Sequence, residues 1–307
     1  MLLPRRLESF FSRSFTQFPD KPCVIESLKT YSYREIETES NALAHWLIQE
    51  RVSPGDRIGI LLGPGRLLYI VQIAILKAGA AYVPIDMGYP ADRIRFILED
   101  AGISMLFASS LSLIQPEPNI RIVDYESLNL ASLPITPVHV DHEQDAICYV
   151  CYTSGTSGKP KGVVITHANI CHFITVATPC YGFTSEDRVY QGLSPAFDFS
   201  IEEIWTTWAV GGALVPRPPH VDTLGSGLRA FLEEQRVTVL ACIPTLLATL
   251  DGDLPSLRIL MVSGEACPQA LANRWARPGL VILNTYGPTE GTVTATWKRL
   301  EGTSQRT

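Results

Sequence analysis

The chain lacks the long apolar run of a membrane-spanning helix, since its longest candidate, residues 67–76, is interrupted by Tyr69 and Gln72. It also lacks an excess of basic residues: 25 Lys and Arg stand against 31 Asp and Glu, and the formal net charge is −6. A nucleic-acid-binding domain normally carries a basic face. Arg5 and Arg6 precede no secretory signal core and instead fit an amphipathic first helix. We therefore expect a cytoplasmic protein without a nucleic-acid or membrane partner.

The seven cysteines show no pattern of evenly spaced pairs. An odd, scattered set inside apolar segments is typical of a reduced, intracellular protein rather than of a disulfide framework. Cys148 and Cys151 have the spacing of half a zinc site, but the second pair that such a site needs is absent. Because both lie in the apolar run 146–152, we predict that they pack inside a strand.

Hydrophobic residues make up 46% of the chain and charged residues 18%, which supports a large core and excludes general disorder. With 307 residues the chain can form one large domain or two of medium size. Strand-like and helix-like patterns alternate along it, and the connections between them are short. This order predicts an α/β fold with parallel sheets.

An irregular, proline-punctuated stretch, residues 112–144, separates two regions of alternating strands and helices. We therefore predict a first lobe at residues 1–140 and a second lobe, with the phosphate loop and substrate pocket described below, at residues 141–307. In the second lobe the apolar patterns predict strands at 146–152, 163–166, 188–192, 213–216, 237–243, 257–262 and 280–284. They predict helices at 168–178, 200–209, 223–235, 245–250 and 269–276.

The most distinctive segment is Tyr152-Thr-Ser-Gly-Thr-Ser-Gly-Lys-Pro-Lys-Gly162, which follows a predicted strand. Glycines let a backbone approach a ligand closely, hydroxyls and bare amides donate to phosphate oxygens, and lysines add positive charge. The spacing differs from a Walker loop, because Thr153 stands where the first glycine belongs and Lys159 is followed by proline. We predict a loop that binds nucleotide phosphates in an enzyme other than an ordinary NTPase.

Three further polar segments follow predicted strands: Phe197-Asp-Phe-Ser200, Ser263-Gly-Glu-Ala266 and Asn284-Thr-Tyr-Gly-Pro-Thr-Glu290. In parallel α/β sheets, ligands bind outside the carboxyl ends of the strands. One such loop would be a weak signal. Together with the phosphate loop, the four segments predict a single ligand-binding crevice.

These segments, in this order and spacing, resemble the adenylation domain of nonribosomal peptide synthetases, within the larger adenylate-forming superfamily of acyl-CoA synthetases and luciferases. Residues 76–86 are similar to an early structural motif of that family, and residues 152–162 to its phosphate loop. Residues 197–205 are similar to its substrate-pocket segment, and residues 284–290 to its adenine and magnesium motif. The resemblance spans residues 6–297 and implies two stacked, flavodoxin-like, parallel-sheet lobes.

The resemblance also implies ATP and Mg²⁺ as cofactors. Thr156, Lys161, Thr289 and Glu290 would form the catalytic set, with Thr289 on the α-phosphate and Glu290 as the ligand of Mg²⁺, an oxygen-preferring cation. Tyr286 would stack on adenine. The other nucleotide contacts would come from Thr153, Ser154, Gly155, Ser157, Gly158, Lys159, Gly264, Glu265, Ala266, Asn284 and Gly287. A carboxylate would attack the α-phosphate and expel pyrophosphate, a reaction that needs positioning and charge neutralisation.

Asp198 has two interpretations. In the family, an aspartate at this position pairs with the α-ammonium group of an amino acid, a cation that is costly to bury without a partner. Alternatively, Asp198 caps the helix that follows it. We favour the first interpretation, and with it an amino acid rather than a fatty or aryl acid as substrate.

The resemblance places further residues in the substrate pocket, and two classes of side chain fit them. The aromatic, small and branched residues suit a medium-sized aliphatic side chain such as that of valine. Alternatively, Glu202 faces the pocket and pairs with a cationic side chain such as that of lysine or ornithine. The sequence leaves this choice open. Besides Asp198, the pocket residues are Phe199, Glu202, Ala241, Met261, Ser263, Thr285, Val293 and Thr294.

The family's small barrel, its Thr-Gly-Asp motif and its C-terminal lobe with the catalytic lysine do not occur in these 307 residues. Three functions therefore stay open: an amino-acid-activating enzyme of nonribosomal peptide biosynthesis, a truncated and impaired relative that binds ATP or a partner, and an acyl- or aryl-CoA ligase. A carrier protein acting in trans is a candidate partner. We expect weak amino-acid-dependent exchange of pyrophosphate into ATP by this chain alone.

Overall fold

The structure is a computed structural model that describes residues 4–109, 119–138, 140, 143, 145–155, 159–219, 222 and 224–301. Helices and strands alternate, as the sequence pattern predicts. The helices are α1 (Glu8–Gln17), α2 (Tyr33–Gln49), α3 (Arg66–Lys77), α4 (Ala91–Asp100), α5 (His167–Tyr181), α6 (Phe199–Val210), α7 (Gly225–Glu234), α8 (Pro244–Thr249) and α9 (Gln269–Trp275).

The strands are β1 (Pro22–Ile25), β2 (Thr30–Ser32), β3 (Arg57–Leu61), β4 (Ala81–Pro84), β5 (Met105–Ala108), β6 (Arg121–Val123), β7 (Ile147–Ser154), β8 (Pro160–Thr166), β9 (Arg188–Gln191), β10 (Ala213–Pro216), β11 (Val239–Cys242), β12 (Ile259–Val262), β13 (Val281–Tyr286) and β14 (Thr296–Leu300). The strands β1, β2, β6 and β14 were not predicted from the sequence.

In the described part of the chain the strands form two sheets. The large sheet has the order β14-β13-β12-β11-β9-β10-β1-β2, and the small sheet has the order β6-β5-β3-β4-β7-β8. Most neighbouring strands are parallel, whereas β1 with β2, β7 with β8 and β13 with β14 pair antiparallel at sheet edges. The predicted α/β class with two sheet-based lobes is confirmed, with the addition that both sheets are mixed.

The two sheets exchange strands along the chain, which differs from the predicted division into residues 1–140 and 141–307. β1 joins the large sheet, where Val24 pairs with Leu214 of β10. β7 and β8, with the phosphate loop between them, extend the small sheet, where Tyr149 pairs with Tyr82 of β4. A hydropathy pattern locates strands but not their partners, because pairing depends on tertiary packing.

The sequence Ser32-Tyr-Arg-Glu35 predicts a capping box, and helix α2 begins there. The backbone N–H of Glu35 donates to the Ser32 hydroxyl, and the Glu35 carboxylate accepts from the Ser32 N–H at 2.7 Å. Gly79, which follows the apolar run at residues 67–77, predicts the end of α3, and its left-handed φ of +82° is a conformation that favours glycine. Among the described residues, no helix combines the length and apolarity needed to cross a membrane.

Helix α6 is the central element of the core and carries the candidate pocket residues. Trp205 and Trp208 are fully buried on it, and their rings meet edge to face at 5.1 Å. Trp208 also contacts Phe11 of α1 and Tyr69 of α3, with ring centroids 5.1 and 5.5 Å away. Such aromatic contacts add to the area burial. They fix the helix between the two sheets and so hold the side chains at its start.

Candidate active site

The described residues of the predicted phosphate loop lie in and next to the paired strands β7 and β8. Thr153 stands opposite Lys161, and Ser154 stands opposite Pro160. Ser154, Lys159 and Lys161 are exposed, so a hydroxyl and two ammonium groups are accessible to an anionic ligand. The sequence predicted the flanking strands, but not that they pair antiparallel around the loop.

Gly155 lies where the two arms of this hairpin come closest. A β-carbon at this position would stand 2.3 Å from the Lys159 carbonyl oxygen, a distance that real side chains do not reach. Only glycine therefore permits this approach. The other predicted residues of the loop, Thr156, Ser157 and Gly158, lie outside the described residues.

The candidate magnesium ligand is carried by a 3₁₀ turn, Thr289–Gly291, which lies against strand β8. The exposed Glu290 on this turn is therefore close to the phosphate hairpin. Among the described residues, no group of three or more His, Cys, Asp and Glu side chains could hold a metal by itself. One accessible carboxylate is nevertheless compatible with Mg²⁺, which typically takes one or two carboxylates and completes its shell with phosphate oxygens and waters.

Asp198 stands at the start of α6 and is only 5% exposed. Its side chain makes no capping hydrogen bond to the helix, and its Oδ2 has no hydrogen-bond partner. Burial raises the pKa of Asp198. Hydrogen bonds from the Thr289 hydroxyl and from the backbone N–H groups at the helix start lower this pKa in part, whereas the nearby Glu290 carboxylate raises it further. The capping interpretation therefore fails in its geometry. The carboxylate lies close to Thr289 and Glu290 and keeps an unused oxygen.

The loop before α6 is anchored to the small sheet at two points. The Cys151 thiol donates to the Ala196 carbonyl oxygen at 3.2 Å. The Ser194 hydroxyl donates to the Asp86 carboxylate, which lies in the motif at residues 76–86. Cys151 and Asp86 therefore have a structural role, because their contacts hold the start of α6 beside the phosphate hairpin.

Glu202 lies one helical turn after Asp198 and is 1% exposed. Its carboxylate accepts a hydrogen bond from the Thr294 hydroxyl at 2.8 Å, and its Oε1 has no partner. Burial raises the pKa of Glu202 to about 7, although the Tyr181 and Thr294 hydroxyls oppose the rise, and the nearby Asp198 contributes to it. The neutral and charged forms of Glu202 are thus close in free energy at neutral pH.

The apolar pocket residues meet on one face of the large sheet. Ala241 of β11 pairs in register with Met261 of β12. Both belong to the same apolar cluster as Phe199, Val293 and the buried residues of α6. The pocket positions implied by the resemblance are therefore brought together, although 94 residues of sequence separate Phe199 from Val293.

Two polar pocket residues lie at the carboxyl ends of neighbouring strands. Strand β13 extends to Tyr286, beyond the predicted end at Asn284, and therefore includes Thr285. The Thr285 hydroxyl donates to the Val262 carbonyl oxygen at 3.4 Å. Ser263 directly follows β12 and is buried. Both hydroxyls therefore lie at the same edge of the sheet, beside the apolar cluster.

The segment after the 3₁₀ turn has an unusual backbone. Thr292 and Val293 have left-handed φ values of +65° and +67°, which β-branched residues rarely adopt. Gly287 permits this conformation, because a β-carbon there would stand 2.3 Å from the Val293 carbonyl oxygen. Such strain costs roughly 1–3 kcal/mol per residue and persists where the surroundings enforce it, often at binding sites.

The candidate adenine site lies at the ends of β12 and β13. Asn284 pairs in register with Val262, so the segments that follow the two strands lie side by side. Tyr286 is 69% exposed there, which leaves its ring accessible for stacking. Gly264 and Ala266 are exposed after β12, and the Glu265 carboxylate between them accepts hydrogen bonds from the hydroxyl and N–H of Thr245.

One residue of this region was missed from the sequence. Tyr181, at the end of α5, places its buried hydroxyl beside the Glu202 carboxylate. Burial is the main cause of a strongly raised pKa of Tyr181, and the charge of Glu202 is the next. Tyr181 and Thr294 also line a cavity of about 390 Å³ between α5 and β14. No motif marks this tyrosine, since it belongs to an ordinary amphipathic helix that meets α6 only in the folded chain.

Comparison with protein families gives a match to the AMP-binding enzyme family over residues 11–307. A similar curated protein is the Delta-poly-L-ornithine synthetase of Acinetobacter baumannii (strain AB307-0294), with 40% identity over 297 residues, which are 96% of this chain and 22% of the relative. Bacitracin synthase 3 of Bacillus licheniformis is 33% identical over 293 residues, which are 94% of this chain and 5% of the relative.

Among solved structures, the nonribosomal peptide synthetase FmoA3 superimposes with a TM-score of 0.90 at 26% identity, over 100% of this chain and 34% of the other. Two further structures of FmoA3, each with a TM-score of 0.89, are described as bound to AMPPNP and to α-methyl-L-serine-AMP. The chain thus spans about a third or less of the length of these relatives.

Proposed function

The chain belongs to the AMP-binding enzyme family, its relatives include nonribosomal peptide synthetases, and we propose on this premise that it takes part in activating an amino acid as its aminoacyl-adenylate. The single observation that carries the proposal is Asp198. A buried carboxylate with an unused oxygen, next to Thr289 and Glu290, is suited to an α-ammonium group held close to the nucleotide. A fatty or aryl acid has no cation to offer it.

In the proposed reaction an oxygen of the amino acid carboxylate forms a bond to the α-phosphorus of ATP. The bond from that phosphorus to the bridging oxygen breaks, and its electron pair leaves with pyrophosphate. Lys159, Lys161 and the hydroxyls of the phosphate hairpin neutralise the charge on the transferred and leaving groups. Thr289 orients the α-phosphate, and Tyr286 stacks on adenine. These roles are binding and orientation, and none needs a covalent intermediate on the protein.

Glu290 is the residue that would hold Mg²⁺. The ion supplies charge neutralisation at phosphate oxygens, and an accessible carboxylate on a turn beside the phosphate hairpin matches the donor that it prefers.

The names of the relatives support the same chemistry. One is a synthetase of poly-ornithine, and another is a bacitracin synthase. FmoA3 is described with an aminoacyl-AMP bound. Because these proteins are much longer than this chain, the peptide product and any carrier partner are further parts of the proposal.

Calorimetric titration with sulfamoyl-linked aminoacyl-adenosines, which imitate the adenylate but do not react, tests the proposal. We expect an aminoacyl analogue to bind about 10- to 100-fold more tightly than the matched analogue without the α-amino group, since a charge-assisted hydrogen bond is lost in the latter. The variant Asp198→Asn should remove most of this difference. Equal binding of the two analogues, or failure of the folded protein to bind any adenosine analogue, would contradict the proposal.

A further inference from the structure

Two buried carboxylates lie one turn apart at the start of α6, and each keeps an unused oxygen. Asp198 is 5% exposed and Glu202 is 1% exposed. Asp198 Oδ2 and Glu202 Oε1 both lack a hydrogen-bond partner. A buried acceptor without a donor is costly, and a buried carboxylate more so. Among the described groups, the donors that act on the pair are hydroxyls and backbone N–H groups, and none of them carries a positive charge.

No cationic side chain of the described residues is among those donors. The groups that act on Glu202 are the Tyr181 and Thr294 hydroxyls and the Asp198 carboxylate. Those that act on Asp198 are Thr289, two backbone N–H groups and the Glu290 carboxylate. Within the described chain no Lys or Arg forms an ion pair with either carboxylate. A site with two acids and no internal cation can accept a ligand that brings two positive charges.

The surroundings of Glu202 match one kind of cation. An ammonium group has three N–H donors, and three acceptors meet here: Glu202 Oε1, the Thr294 hydroxyl oxygen and the Tyr181 hydroxyl oxygen. The Thr294 hydroxyl donates to Glu202, so its lone pairs stay available to the ammonium group. A guanidinium group has five donors in a flat fork and would leave some of them unsatisfied.

The positions of Asp198 and Glu202 along α6 indicate the length of the ligand. Side chains at positions i and i+4 of a helix are neighbours, with their β-carbons about 5–6 Å apart. From standard bond lengths, the two nitrogens of an extended diamino acid with two to four side-chain methylenes are about 5–7.5 Å apart. A chain of this length can reach both carboxylates at once.

We propose that the amino acid is an α,ω-diamino acid, whose α-ammonium group binds Asp198 and whose terminal ammonium group binds Glu202, Thr294 and Tyr181. This inference rests on the proposed function and decides between the two substrate classes that the sequence leaves open. Methylenes of the ligand lie along the apolar cluster of Phe199, Ala241 and Met261. An aliphatic substrate such as valine fills the apolar part and leaves Glu202 without a donor.

The test compares adenosine sulfamate analogues that differ only at the end of the side chain. The ornithyl analogue carries the terminal ammonium group, the norvalyl analogue has the same carbon chain without it, and the arginyl analogue replaces it with guanidinium. In calorimetric titrations of the full chain at about pH 7.5, we expect the ornithyl analogue to bind about 50-fold more tightly than the norvalyl analogue. This ratio is typical of charge-assisted hydrogen bonds. The arginyl analogue should bind more weakly than the ornithyl analogue.

Glu202→Gln removes the charge and keeps the shape. It should reduce the ornithyl-to-norvalyl ratio to below about 5-fold. Glu203→Gln is the matched control, because Glu203 is also buried on α6 and also keeps one oxygen without a partner, but it accepts from Gln191 rather than from Thr294. This control should keep the ratio of the parent protein. Circular dichroism establishes that each variant is folded before titration.

Each outcome has a separate meaning. Norvalyl or valyl binding as tight as ornithyl binding, or an unchanged ratio in Glu202→Gln, overturns the diamino-acid inference and leaves the proposed amino-acid activation in place. Tighter arginyl binding overturns the selection of an ammonium group. Failure of all aminoacyl analogues to bind the folded protein overturns the proposed function, and this inference with it.

Discussion

The Thr294 hydroxyl donates to the Glu202 carboxylate at 2.8 Å. This bond joins the strained segment after β13 to helix α6, two elements that are far apart in the sequence. The first carries the candidate adenine and magnesium residues, and the second carries the candidate substrate carboxylates. This buried contact therefore links the two halves of the site.

Replacing Thr294 with valine, which has nearly the same shape, should leave one more Glu202 oxygen without a donor. We expect a loss of about 1–3 kcal/mol in the free energy of unfolding, the usual effect of leaving a buried acceptor unpaired. Urea denaturation measures it. Thr296→Val is the control, since Thr296 is exposed and its hydroxyl bond to Tyr286 is long, at 3.5 Å. Equal effects of the two substitutions would show that the Glu202 bond does not stabilise the fold.

Stability should depend on pH through Glu202. Its pKa is raised from 4.5 to about 7 in the folded protein, so between these values the folded state binds more protons than the unfolded state. The contribution of Glu202 is therefore fully present below pH 4.5 and is lost as the pH rises through 7. From this shift we expect about 3 kcal/mol between the two limits.

The comparison of the parent protein with Glu202→Gln isolates this effect, because the other acidic groups titrate in both. The titratable groups that interact with Glu202 are Asp198 at the start of α6, Glu203 on α6 and Tyr181 on α5. Unfolding free energies measured from pH 4.5 to 8 should converge on those of the variant at low pH and fall below them at high pH. Parallel curves would exclude a raised pKa at Glu202.

Tyr286 should contribute to nucleotide affinity through its ring alone. Loss of base stacking typically costs about 1–3 kcal/mol, so Tyr286→Ala should weaken Mg-ATP binding by roughly 5- to 150-fold. Because Tyr286 is 69% exposed, the substitution should hardly change the stability of the fold. Tyr286→Phe keeps the ring and should bind like the parent protein. A loss of affinity with Phe would assign the role to the hydroxyl instead.

Gly287→Ala should disturb the substrate pocket by displacing the backbone that carries Val293 and Thr294. The new β-carbon would meet the backbone of Val293 and Ala295 at 2.3 and 2.7 Å, which must displace the segment that holds Thr294. We expect a destabilisation of about 1–3 kcal/mol and weaker binding of aminoacyl analogues. Gly291→Ala lies on the same turn and makes ordinary contacts with Pro288 at 3.5 Å, so it should be tolerated. Similar tolerance of both substitutions would contradict this interpretation of Gly287.

Much of the fold could be predicted from the sequence, because its elements are marked by local chemistry. The capping box at Ser32 and the apolar runs of β11 and β12 are signals of this kind. The partners of β1 and β7 were not predictable, since a hydropathy pattern locates a strand without specifying its neighbour. The antiparallel β7–β8 hairpin was missed for the same reason.

The candidate site divides in a similar way. Asp198 was found through its motif, but its lack of a capping bond depends on a helix-start geometry that only the folded chain shows. Tyr181 carries no motif, and its place beside Glu202 results from the packing of α5 on α6. Local sequence patterns thus identified the loops of the site. The contacts of Asp198 and Glu202 with their neighbours depend on tertiary packing and could not be predicted in this way.

The exchange of strands between the sheets also governs how the chain can assemble as it leaves the ribosome. The N-terminal strand β1 cannot complete its pairing until β10, almost 200 residues later, has been synthesised, because Val24 pairs with Leu214. Until then the apolar faces of α1 and β1 stay uncovered, and contacts between such distant segments form slowly. Nascent chains shorter than about this length should therefore be substrates for chaperones, and cutting the gene between its two alternating regions should yield two insoluble pieces rather than two independent domains.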